Sequence, residues 1–152
     1  MTFEHGFLIF YVALSLYSCG ITWQAQRVSY PLFGMVPADG YVAYHRFYSR
    51  SIPLVVIVPG FACFLAPLVL LVARPDTVPL WAALLNVALG LTSLLVTVAL
   101  EIPRHPRLEN DGKSEPVIRE LIRYNWPRTL AISGQGVLAL WLFTLAFAPV
   151  GS

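Results

Sequence analysis

His45, Glu101, His105 and Arg128 are four ionisable residues at the edges of long apolar stretches, and Asn125 stands one helical turn before Arg128. Two imidazoles and a carboxylate can move a proton or hold a transition metal. An arginine and an amide beside them can stabilise an oxyanion or a peroxide. Glu101 and His105 are four residues apart, so they share one face of any helix that persists past Pro103. Two histidines on different helices at one depth could also ligate a haem axially. The residues leave these chemistries open, and they name no resident metal and no cofactor. Trp23, Gln26, Tyr30, Tyr44 and Trp126 fall at the same level. They offer aromatic faces and an amide to a planar apolar substrate, while the tryptophans also suit an interfacial aromatic belt. Arg128 and Glu101 are expected to pair, because a paired arginine costs a membrane far less than a free one.

The elements that must position these residues follow from composition. The chain has 152 residues, 57% hydrophobic and 12% charged, with a mean hydropathy of +0.69. An ordinary soluble domain carries about a quarter charged residues. A single transmembrane domain over 1–152 is therefore expected, with spans at about 6–24, 52–72, 78–102 and 126–148. Segments of this length satisfy their backbones as helices in lipid, and no alternating ten-residue units suggest a barrel. The fold class is all-α, an integral membrane four-helix bundle. The opening residues Met1 to His5 lack a basic region, so 6–24 reads as a first span rather than a cleavable signal.

Nine of the ten basic residues fall in or beside the first and third connections, and Arg74 alone lies at the other side. The positive-inside rule makes those connections cytoplasmic and the bundle N-out/C-out, as in a bacterial inner membrane. Amphipathic cytoplasmic lead-ins are expected ahead of helices 2 and 4. Ser29 to Gly40, with Pro31, Gly34, Pro37 and Gly40, reads as an apolar loop tucked against the bundle. No basic run interleaves with aromatics, which excludes nucleic acid as a partner. Cys19 and Cys63, without a C-x-x-C, read as small buried residues rather than a thiol-redox pair.

Each span becomes more polar toward the basic end. Asn86, Gly90, Ser93, Thr97 and Glu101 form one stripe, Ser15, Ser18, Thr22 and Gln26 another, and Asn125, Arg128 and Gln135 a third. Small and hydroxylated residues at this spacing are the usual helix contact in lipid. The expectation is a dry outer half and a polar inner mouth. Pro53, Pro103 and Pro127 each remove a helical N–H, freeing the carbonyls of Ser49, Ala99 and Arg123, and Pro106 is a candidate helix stop.

The runs Trp23-Gln24-Ala25-Gln26, Tyr30-Pro31-Leu32-Phe33, Tyr44-His45, Ile102-Pro103-Arg104-His105 and Asn125-Trp126-Pro127-Arg128-Thr129 resemble a family of small bacterial four-span membrane proteins of unknown function. That family is similar in turn to the anthrone oxygenase-like membrane proteins. The resemblance covers most of the chain and implies the four-span fold. It also implies oxygen insertion into a reduced polycyclic phenol, with His105 or His45 as proton acceptor, Asn125 and Arg128 stabilising the oxyanion or peroxide, and Trp126 stacking on the substrate. The competing readings are a non-enzymatic accessory or assembly subunit and a haem- or metal-binding membrane protein. The expected partners are accordingly the lipid bilayer, a hydrophobic small molecule, and another membrane protein or a second copy of the chain.

Overall fold

The computed structural model describes residues 2–148. Four helices account for nearly all of them: α1 (Phe3–Met35), α2 (Ala38–Val72), α3 (Leu80–Asn110) and α4 (Glu115–Phe147). They run up-down-up-down, with α1 packed on α2 and α4, and α3 packed on α2 and α4. In the most apolar window of each helix only 28–33% of residues are buried. The bundle is therefore sheathed in apolar side chains such as Leu54, Val72, Leu95 and Val137, all more than half exposed. Water would not tolerate so large an apolar surface, and lipid does. The chain is a multi-pass membrane protein with a four-helix-bundle fold.

Helices of 31 to 35 residues are about 50 Å long, whereas a hydrocarbon core is about 30 Å thick. The surplus projects at the basic end, because the opposite turn is short. There Arg74 ties the turn together by donating to the carbonyls of Val78 and Leu71, both at 3.1 Å. At the basic end Tyr30, Phe33, Tyr41, Leu108, Val117, Ile118 and Leu121 form a second apolar core, distinct from the one within the spans. Arg104 Nε donates to Glu120 at 3.0 Å and its guanidinium lies 4.5 Å from the Tyr124 ring centre. These contacts fasten the projecting part of α3 to α4.

Two expectations need correction. The stretch Ser29 to Gly40 is helical as far as Met35, and Tyr30 and Phe33 are buried in the second core. Pro31 directly follows the π-helical turn Ala25–Ser29, where the register of backbone bonds changes and the helix carries on past the missing N–H. Pro106 does not end α3, which continues as Arg104–Asn110; the proline falls in the first turn of that segment, where no helical bond needs its N–H. Pro127 lies inside α4 without breaking it.

The dry outer half is also revised. Within the spans, the Tyr11 hydroxyl donates to Asn86 Oδ1 at 2.8 Å, and Gln135 Nε2 donates to Tyr11 Oη at 3.3 Å and to the Asn86 carbonyl at 3.4 Å. Cys63 and Ser15 adjoin this network, so all four helices contribute to it. Both cysteines are free, Cys63 buried and Cys19 half-buried. Buried polar pairs in membrane bundles contribute about 0.6–2 kcal/mol each. Gln135→Leu is expected to lower stability in detergent by about that amount, read as the midpoint of an SDS unfolding curve. A midpoint equal to that of the unmodified protein would deny the network any structural role.

Candidate functional site

Three of the four helices carry a single π-helical turn near the basic end: Ala25–Ser29 in α1, Pro53–Ile57 in α2 and Thr97–Glu101 in α3. Each inserts one residue into the helical register, which re-aims the side chains that follow, and such bulges recur at functional sites. Here they turn Gln26, Thr97 and Glu101 into the bundle axis, where all three are buried. Side chains reach some of the neighbouring carbonyls: Arg104 Nη1 donates to Leu100 and Gln26 Nε2 to Ile122, the latter at 3.0 Å. The proline-freed carbonyls were expected at Ser49, Ala99 and Arg123. The carbonyls that side chains bind lie one residue away from Ala99 and Arg123.

The two histidines meet. His45, fully buried on α2, and His105 on α3 approach with Nε2 and Nδ1 3.1 Å apart, a hydrogen bond between imidazoles. On its other side His45 Nδ1 faces Glu109 Oε1 at 3.7 Å, outside hydrogen-bond range. Glu109, His45 and His105 thus form a line from a part-exposed carboxylate through the fully buried His45 to the half-buried His105. Tyr30, Phe33, Tyr41 and Tyr48 pack around the imidazoles with ring centres 4.9–6.4 Å apart. Direct contact between the histidine nitrogens leaves no room for a haem iron between them. Among the described residues no three His, Cys, Asp or Glu side chains are grouped to hold a metal ion. His45, Glu101 and His105 are thus not gathered into one ligand set among the described residues.

Glu101 and Arg128 do not make the expected ion pair. No Arg128 nitrogen lies within 4.0 Å of a Glu101 oxygen. Arg128 Nη1 instead donates to Thr97 Oγ1 at 3.5 Å, while its Nε and both Glu101 oxygens have no partner. Glu101 is only 2% exposed and Arg128 6%. The nearest charged or polar groups to the Glu101 carboxyl are those of Arg128, Tyr30 and Arg104. Glu101 lies at the end of the π-helical turn Thr97–Glu101, where the helical register changes.

Asn125 is committed differently from expectation. Its Nδ2 donates to Gln26 Oε1 at 2.9 Å and to Thr129 Oγ1 at 3.2 Å, joining α4 to α1. With both donors spent, only its unpartnered Oδ1 remains, so it offers an acceptor and not a hydrogen bond to an oxyanion. Trp23 and Trp126 pack edge-to-face at 5.7 Å along the α1–α4 seam, and Trp23 Nε1 donates to Ser133 at 3.0 Å. They lie against each other rather than in the histidine cage. Tyr44 packs edge-on against Phe33, and Tyr30 borders both His105 and Glu101.

Glu109, Tyr48, Phe33, Tyr41 and Thr97 join the site without having been singled out as site residues. The signal was present for several. Tyr41, His45 and Tyr48 repeat at four and three residues, one face of α2, and Glu109 follows His105 by one helical turn.

The fold and this cluster define a class: a multi-pass four-helix membrane bundle with a buried, incompletely satisfied polar site at one end. Comparison with protein-family models, curated proteins and solved structures gives no match for the chain.

Proposed function

We propose that this protein is a membrane enzyme, oxygenase-like, that takes a proton from a hydrophobic aromatic substrate at the basic, cytoplasmic end of the bundle. The observation that carries the reading is the set of unpartnered buried atoms there: Glu101 Oε1 and Oε2, Arg128 Nε, Asn125 Oδ1 and His45 Nδ1. Buried polar atoms without partners are costly, and in a membrane bundle they mark a place built for something other than packing. A polar lock that merely held helices together would satisfy its own groups. The Tyr11–Asn86–Gln135 network does so, which favours the enzyme over an accessory subunit.

His105 is the proton acceptor in this reading, since it ends the histidine line on the side of Arg128. Arg128 supplies the donors for the oxyanion that deprotonation of a phenol or an activated methylene creates. The tyrosine and phenylalanine rings around the histidines supply the apolar walls a planar substrate needs. The excess of arginine at this end and the resemblance to anthrone oxygenase-like proteins support a bacterial inner-membrane setting. Arg128→Ala and His105→Ala are each expected to abolish turnover of an anthrone-type substrate by the protein in detergent, while the unfolding midpoint changes little. Unaltered turnover in both variants would sink the reading.

A further inference from the structure

A narrow cleft opens sideways between α1 and α2, with free space of about 20 Å³, room for about one water molecule. Tyr17 and Ile21 form one wall, Val55 and Pro59 the other, and Arg128 and Thr97 lie at its inner end. Two buried atoms lining it have no protein partner, Ser18 Oγ and Arg128 Nε, on residues 4% and 6% exposed. Arg128 has no carboxylate in ion-pair contact, as shown above. A buried charged donor left unpaired, as Arg128 Nε is, is costly, and an acidic ligand oxygen would remove that cost.

The mouth of the cleft lies within the spans. Tyr17 and Val55 at its rim are about half exposed, on the apolar surface that faces lipid. A ligand arriving there must be dissolved in the bilayer. The Tyr17 hydroxyl donates to the Val55 carbonyl at 3.0 Å and so bridges the rim. Pro59, four residues beyond Val55, has no N–H to give that carbonyl, so the tyrosine takes the place of a helical donor. This bond joins the two helices across the mouth and must be displaced, or swung aside, for anything bulky to pass.

We propose that the α1–α2 cleft admits a bilayer-dissolved hydrophobic acid, head first, and binds its ionised oxygen at Arg128 and Ser18, with Tyr17 as the latch. The proposal rests on the reading of the basic end as a ligand site, and it adds the substrate class and the route. The guanidinium takes the head while the ligand's chain stays at the mouth, against Tyr17, Val55 and lipid, so discrimination falls on the acidic group.

The test uses the full chain in detergent, with palmitate and 1-hexadecanol as probes and affinity read by calorimetry. Palmitate is expected to bind about tenfold tighter or more than the alcohol, and Arg128→Gln should erase that preference. Gly60 lines the cleft, and a Cβ there meets only the Phe64 ring at an ordinary 3.7 Å. Gly60→Leu carries its branches beyond that Cβ into the cleft and is expected to block it and weaken both probes, with Arg128 untouched and folding checked by the SDS unfolding midpoint. Tyr17→Phe should speed palmitate association while keeping the preference for the acid. Equal affinity for acid and alcohol, or a preference that survives Arg128→Gln, overturns the proposal, as does palmitate binding indifferent to Gly60→Leu. If anthrone-type turnover is absent but palmitate binds in this Arg128-dependent way, the oxygenase reading falls and the cleft stands. If turnover depends on His105 yet is undiminished in Gly60→Leu, the cleft falls and the enzyme stands.

Discussion

Gly90→Ala should destabilise the bundle more than any other single methyl added to its glycines. A Cβ at Gly90 would stand 2.6 Å from the Phe64 carbonyl oxygen, 3.3 Å from the Phe64 carbonyl carbon and 3.2 Å from Gln135 Nε2. Carbon contacts settle at about 3.5–4.0 Å, so α2 and α3 would have to separate by roughly an ångström. The atom in the way is backbone, which cannot swing aside as a side chain can. Overpacking of this kind costs about 1–3 kcal/mol. The displaced Gln135 also belongs to the network with Tyr11 and Asn86, so some of that bonding goes too. The control is Gly20→Ala, where an added Cβ meets nothing within 4 Å. That change should be neutral or stabilising by up to about 1 kcal/mol, because alanine is the better helix former. SDS unfolding of the two variants side by side decides the matter. Equal midpoints would mean that α2 and α3 do not approach as closely as this at Gly90.

Gly90 also shows how far the sequence could be read. It lies on the stripe Asn86, Gly90, Ser93, Thr97, and the stripe is a packing seam, because periodicity alone determines which face of a regular helix turns inward. The four spans were legible for a similar reason: lipid imposes length and apolarity on each segment independently of its neighbours. The projecting ends were less so. Ser29 to Gly40 reads as loop from its prolines and glycines, yet α1 carries on past Pro31, which directly follows its π-helical turn. Glu101 and Arg128 read as an ion pair because each alone is costly in a membrane. In the structure Arg128 bonds Thr97 instead, and both Glu101 oxygens are left without a partner. His45 and His105 could be placed at one level, but their contact depends on how the lead-in of α2 meets the end of α3. That is tertiary geometry, and spacing within either helix does not encode it.

The histidine contact yields the largest functional effect, if the enzyme reading holds. His105→Ala should lower turnover by about 10²–10⁴-fold, the usual contribution of a positioned acid–base group. His45→Ala should cost less, because it removes the group that orients His105 and passes its proton outward. Glu109→Gln should cost least. Its carboxylate is 3.7 Å from His45 and part-exposed, so water can take over its end of the line. The order His105, His45, Glu109 follows from distance along one chain of groups, and a simple packing role would not reproduce it. Three buried or half-buried residues in an aromatic cage would instead be ranked by burial, which puts the fully buried His45 first. A second readout separates the two accounts. Imidazole added to His105→Ala should restore part of the lost turnover, because the cavity left between Tyr30, Tyr48 and His45 has the shape of the missing ring. A structural defect would gain nothing from a soluble base. Losses that track the fall in unfolding midpoint, with no recovery in imidazole, would show that the histidine pair holds α2 to α3 and moves no proton.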